Sequence, residues 1–69
     1  MTLGQRIGLY RKKLNISQEA LGARLGVSRQ AVSKWGSGAS DPSTSNLLAL
    51  AKLYGVSAED LLREAAGGE

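Results

Sequence analysis

The chain has 69 residues, 42% of them hydrophobic, nine basic against six acidic, with no Cys and no His. That length allows one domain with a small core. The missing thiols and imidazoles exclude a disulfide framework, Cys/His metal sites and thiol or imidazole catalysis.

The net charge of +3 hides an asymmetry. Up to Trp35 the chain carries Arg6, Arg11, Lys12, Lys13, Arg24, Arg29 and Lys34 against Glu19 alone, a balance of +6. From Gly36 onward Lys52 and Arg63 stand against Asp41, Glu59, Asp60, Glu64 and Glu69, a balance of −3. Uneven charge is common in small proteins, but a basic half that coincides with a binding motif reads as a phosphate-facing side. No run approaches about 18 apolar residues. The first residues hold no apolar stretch of signal-peptide length, so a cytoplasmic location, near the nucleoid, and no membrane partner are expected.

Thr2-Leu3-Gly4-Gln5 has the form of a capping box. Leu3, Ile7, Tyr10 and Leu14 then recur at helical spacing, so the first helix is expected to reach Lys13 or Leu14 and end at Asn15, a residue that tolerates the left-handed conformation. Ser17 caps a second helix over Gln18–Leu25, with Ile16 spaced to staple onto Leu21. Gly26 stops it and Ser28 starts a third helix, Arg29–Trp35, so three residues separate two helices that must cross steeply. Val27 is placed to cover Leu21 and to staple onto Val32, while Gly22 faces the seam and lets the backbones approach. At about 100° per residue, Val32 and Trp35 point inward. Arg29, Gln30, Ser33, Lys34 and Ser37 point outward, a face of cations, amides and hydroxyls without an acid.

In Gly36–Ser45 the glycines Gly36 and Gly38 are expected to unravel the third helix, and Pro42 forbids helix at Asp41. Ser43 or Thr44 caps a fourth helix, Asn46–Tyr54, with Leu47, Leu50, Ala51 and Tyr54 on one face. Tyr54-Gly55-Val56-Ser57 repeats the form of Leu25-Gly26-Val27-Ser28 and leads into a fifth helix from Ala58 to Glu64. The expected organisation is one domain over residues 1–64 with a frayed tail at 65–69. With no strand signal, the fold class is all-α, five short helices in one globule.

The stretch SQEALGARLGVSRQAVSKW, with Gln18, Leu21, Gly22, Gly26, Val27, Val32 and Trp35 in joint register, resembles the helix-turn-helix of the Cro / phage-repressor (XRE-like) family of bacterial and phage transcription regulators. The likeness runs from about Thr2 to Arg63 and implies a five-helix lambda-repressor-like DNA-binding domain. It also implies base contacts at the outward positions Arg29, Gln30, Ser33 and Lys34, which the periodicity reaches independently. Gln pairs bidentately with adenine, and Arg or Lys with guanine. Phosphate contacts are expected from Gln18 at the start of the second helix, from Ser28 and Ser37, and from Thr44 at the start of the fourth. The chain departs from the family where many members carry Trp-Glu-x-Gly, the Glu pairing with an Arg of the first helix. Here Trp35-Gly36-Ser37-Gly38 leaves Arg11 without that partner, so Arg11 is expected to be free for phosphate or for Asp41. Loop 36–45 also holds no cation.

The expectation is thus a sequence-specific regulator of double-stranded DNA, a repressor, binding a pseudo-palindrome as a homodimer through the last helix at Leu61 and Leu62; one helix face can hardly bury both, so one of the two is expected in the core and the other at the dimer surface. An interaction module of the antitoxin-like adaptor kind, aimed at a protein, is the alternative. The chain holds no paired carboxylates on a pocket-forming scaffold and no nucleophile–base set. Accordingly no catalytic residue, cofactor, metal or small-molecule ligand is expected.

Overall fold

The structure, a computed structural model, describes residues 2–66, with side chains as far as Leu62. Five helices follow one another: α1 (Leu3–Lys13), α2 (Gln18–Leu25), α3 (Arg29–Ser37), α4 (Thr44–Tyr54) and α5 (Ala58–Ala66). Each begins on a hydroxyl. Thr2 and Gln5 form the reciprocal capping box, the Gln5 N–H donating to Thr2 Oγ1 at 3.1 Å and the Thr2 N–H to Gln5 Oε1 at 2.9 Å. Ser17, Ser28, Ser43 and Ser57 each accept a backbone N–H three residues on, at 2.9–3.2 Å. Each such cap satisfies one of the donors that a helix start leaves over.

The helix ends are as uniform. Asn15, Gly26, Gly38 and Gly55 all take positive φ, between 60° and 83°. The residue after each donates its N–H back over the last turn: Ile16 to Arg11 O, Val27 to Gly22 O, Ala39 to Lys34 O and Val56 to Ala51 O, at 2.9–3.3 Å. These are Schellman-type closures. Leu14-Asn15-Ile16-Ser17 therefore has the same build as the two Gly-Val-Ser joints, a likeness that the different residue types hide in the sequence.

Two glycines set how closely the helices pack. A Cβ on Gly22 would lie 2.7 Å from the Val27 carbonyl oxygen, so α2 lies directly on the turn that follows it. A Cβ on Gly4 would collide with the Trp35 carbonyl oxygen and lie 2.9 Å from its carbon, which brings the start of α1 onto the backbone of α3. Helix α1 also packs on α5, and α4 on α5 and α2. Ile7, Leu21, Val32, Trp35, Leu47, Leu50, Ala51 and Leu61 form the core, a contribution from every helix. Above it the Tyr10 and Tyr54 rings stack 5.1 Å apart, and the Tyr54 hydroxyl donates to Ile7 O at 2.9 Å. Burial raises the Tyr54 pKa from 10.0 to about 12, against a lowering influence of Arg11.

The structure corrects several expectations. Leu14 does not belong to the core stripe: it is the C-cap of α1, with backbone angles still helical, yet 46% exposed, and the chain turns away only at Asn15. Gly36 does not end the third helix, which continues to Ser37 and closes at Gly38. Helix α4 starts at Thr44, capped by Ser43. Helix α5 continues to Ala66 rather than Glu64, and the last three residues of the expected tail, 67–69, lie outside the described residues. Leu61 is wholly buried, whereas its neighbour Leu62 is 47% exposed. Leu61 is therefore the core member of the pair, and Leu62 the one left for an interface.

Gly4 and Gly8 are both inside α1, yet a Cβ on Gly8 would meet nothing within 4 Å. Gly8→Ala is expected to stabilise the fold by about 0.5–1 kcal/mol through helix propensity. Gly4→Ala is expected to destabilise it by about 1–3 kcal/mol or more through overpacking. Urea unfolding of both variants measures the contrast. For Tyr54, a folded-state pKa of about 12 against an ordinary 10.0 means that the folded chain keeps a proton that the unfolded chain releases first. Stability from this source is intact below pH 10 and falls as pH rises from about 10 to 12. The fall, read from urea midpoints across that window, is expected to shrink in Tyr54→Phe.

Candidate nucleic-acid interface

The joint between α2 and α3 determines which side of α3 faces out. Val32 and Trp35 are buried and Ala31 is partly buried. Arg29, Gln30, Ser33, Lys34 and Ser37 are all exposed, and α3 carries no acid. The outward face expected from periodicity is thus the exposed face, and the helix runs two residues further than expected, to Ser37.

The residues expected to touch phosphate have differing local chemistry. Ser28 accepts from the Ala31 N–H at 3.1 Å, which leaves its own proton to donate outward. Ser37 instead donates to the Lys34 carbonyl at 3.1 Å, so its proton is used within the helix. Gln18 is the first residue of α2 and is half-buried. Thr44 is the first residue of α4 and is exposed. The expectation that Arg11 is left loose is corrected. Its Nη1 donates to the Ile16 carbonyl at 2.7 Å, tying the last turn of α1 to the turn before α2.

Several of these residues converge. An open groove of about 430 Å³ lies between α1 and α3, lined by Arg11, Lys12, Gln18, Ser33 and Ser37 above a floor of Ile7 and Val32. Among the described residues no carboxylate lines it. Thr44 is not among its lining residues, and Arg24 lies apart, in a smaller groove with Leu25, Ala49, Lys52 and Leu53. Lys12 and Gly8 line the larger groove, although neither was among the expected contacts. Gly4, Gly8 and Arg11 follow one another at helical spacing beside the apolar stripe of α1, and that second stripe was the available signal.

Two capped helices crossing at a three-residue turn, the second with an acid-free polar face turned outward, define a helix-turn-helix protein of the DNA-binding kind. Residues 7–61 match the family described as helix-turn-helix, and the chain belongs to that non-enzymatic family of DNA-binding transcription regulators. It is similar to repressor protein C2 of Salmonella phage P22, with 46% identity over 61 residues covering 88% of this chain and 28% of that protein. It is similar also to the HTH-type transcriptional regulator DicA of Escherichia coli (strain K12), with 42% identity over 53 residues, 77% of this chain and 39% of that protein. The chain thus spans well under half the length of these two relatives. Among solved structures it superposes on the P22 c2 repressor protein in complex with a synthetic operator, with a TM-score of 0.83 and 44% identity over 88% of this chain and 92% of that one. The expected fold and the resemblance to phage repressors are borne out.

Proposed function

We propose that this chain is a sequence-specific regulator of double-stranded DNA that acts as a repressor by occupying its operator, with residues 1–64 as the DNA-binding unit. The observation that carries the reading is the exposed, acid-free face of α3 over Arg29, Gln30, Ser33 and Lys34, backed by buried Val32 and Trp35. The similarity to a repressor described in complex with an operator supports it.

Helix α3 enters a major groove about 12 Å wide with its N-terminal end leading. Gln30 and Lys34, one turn apart, read base edges, with Arg29 and Ser33 beside them. Gln18, Ser28, Thr44 and the N–H groups that Arg11 does not give to Ile16 hold phosphates and set the register, and Ser37 joins them by turning its proton from the Lys34 carbonyl to phosphate. The cation-free loop 36–45 leaves that work to hydroxyl and backbone groups, so a single copy binds weakly. A homodimer on a pseudo-palindrome, with half-sites about 10 bp apart centre to centre, multiplies the discrimination. Exposed Leu62 on α5 is the apolar contact for the second copy. No helix among the described residues is long and apolar enough to cross a membrane, and the reading sets the protein in the cytoplasm, at the nucleoid.

Selection of bound duplexes from a random pool, repeated with Gln30→Ala and Lys34→Ala, is the test. Each substitution is expected to cost about 1–3 kcal/mol and to relax preference at one base position. Uniform weakening over all sequences would reduce both residues to phosphate contacts. Wild-type affinity is expected to fall by orders of magnitude between about 50 and 200 mM salt, whereas an apolar protein-docking interface would hardly respond. Leu62→Asp is expected to leave the thermal midpoint nearly unchanged and to abolish cooperative binding to the full site, as read by titration against full-site and half-site duplexes.

A further inference from the structure

The groove between α1 and α3 is open at both walls. A Cβ built on Gly8 or Gly36, one on each wall, meets no atom within 4 Å. The volume of about 430 Å³ falls in the range of sites for small molecules, about 300–1,000 Å³. Its floor is apolar, Ile7 and Val32, and Leu9 at its edge is 36% exposed although large and apolar. Its polar lining is basic: Arg11 and Lys12 line it and, among the described residues, no carboxylate does. The Arg11 guanidinium is oriented in advance, since one of its five N–H groups is held by the Ile16 carbonyl at 2.7 Å. A guanidinium fixed before binding loses less freedom when an anion arrives.

We infer that this groove is a site for a small organic anion, a phosphate or carboxylate head carried on an apolar or aromatic body. The head pairs with Arg11 and Lys12, and the body lies against Leu9, over the sealed Ile7 and Val32 floor. Gln18, Ser33 and Ser37 line the same groove, and Ser33 belongs to the exposed face of α3, so an occupant puts negative charge where a duplex would bring its own. Occupation therefore competes with DNA. The competition rests on the function proposed above; the binding does not.

The test titrates the isotope-labelled chain with phenyl phosphate and, separately, with benzoate at fixed ionic strength, following backbone amide shifts. Sodium sulfate serves as a control for charge without an apolar body. Saturable shifts at Gly8, Ser33 and Gly36 are expected with one or both aromatic anions, and the arm that saturates identifies the head. Lys12→Gln is expected to weaken binding about tenfold, equal to about 1.4 kcal/mol. Gly36→Glu, which adds a carboxylate to the groove that Arg11 also lines, is expected to abolish saturation. It places a better helix former in an exposed helical position, so its amide spectrum should stay that of the folded chain. Shifts that sulfate reproduces, that never saturate, or that survive Gly36→Glu would overturn the site. In the same buffers the saturating anion is expected to weaken duplex binding by the wild-type chain several-fold. Duplex binding indifferent to a saturating anion would overturn the competition. A chain that bound no duplex yet still gave saturable shifts would sink the regulator reading and leave the groove's assignment standing.

Discussion

The approach of α2 to the turn that follows it governs where every exposed group of α3 lies. Gly22 allows that approach, since a Cβ there would come within 2.7 Å of the Val27 carbonyl oxygen. The Val27 N–H in turn donates back to the Gly22 carbonyl at 2.9 Å. One residue therefore acts twice, as the thin wall of the crossing and as acceptor for the bond that closes the helix end. Moving the turn outward would rotate α3, and Val32 and Trp35 would leave the core together. Gly4 does the same from the other side, where α1 rests on the Trp35 carbonyl. Helix α3 is thus held between two backbone-to-backbone contacts, which are stiffer than side-chain packing.

The rest of the fold economises on parts. A chain of 69 residues has few large side chains for a core, and its turns are correspondingly uniform: a positive-φ residue, an apolar residue that folds back, and a serine cap. Used three times, at 14–17, 25–28 and 54–57, this joint closes one helix, starts the next and contributes Ile16, Val27 or Val56 to the margin of the core. The connection from α3 to α4 is the exception. There Gly38 closes the helix in the same way, but a stretch through Pro42 intervenes before the Ser43 cap. The polar, acid-free faces of α3 and of the adjoining groove are what this packing leaves outside.

Much of this could be read from residue order because its signals are local. Gly26 and Ser28 lie three residues from the groups they satisfy, and the inward and outward faces of α3 follow from spacing alone. Where tertiary contacts decide, the reading failed. Gly36 costs a helix about 1 kcal/mol relative to Ala, but burial of Trp35 just before it and the Ala39-to-Lys34 closure beyond it carry the helix through. Leu14 fits the helical period, yet as the C-cap of α1 it stays exposed. Between Leu61 and Leu62 spacing gives no choice; the packing of α5 on α1 and α4 makes it. The groove was illegible for the same reason. Its walls come from α1 and α3, and the glycines that widen it matter only once those helices are side by side.

The central claim is that one rigid polar face, from the start of α2 along the exposed side of α3, meets the duplex. Backbone amide shifts of the labelled chain on addition of a selected duplex test it most directly. The largest changes are expected at Gln18, at residues 28–34 and around Thr44, with the outer face of α5 undisturbed apart from Leu62 and its neighbours. Changes centred on the smaller groove between α2 and α4, with residues 28–34 unmoved, would contradict it.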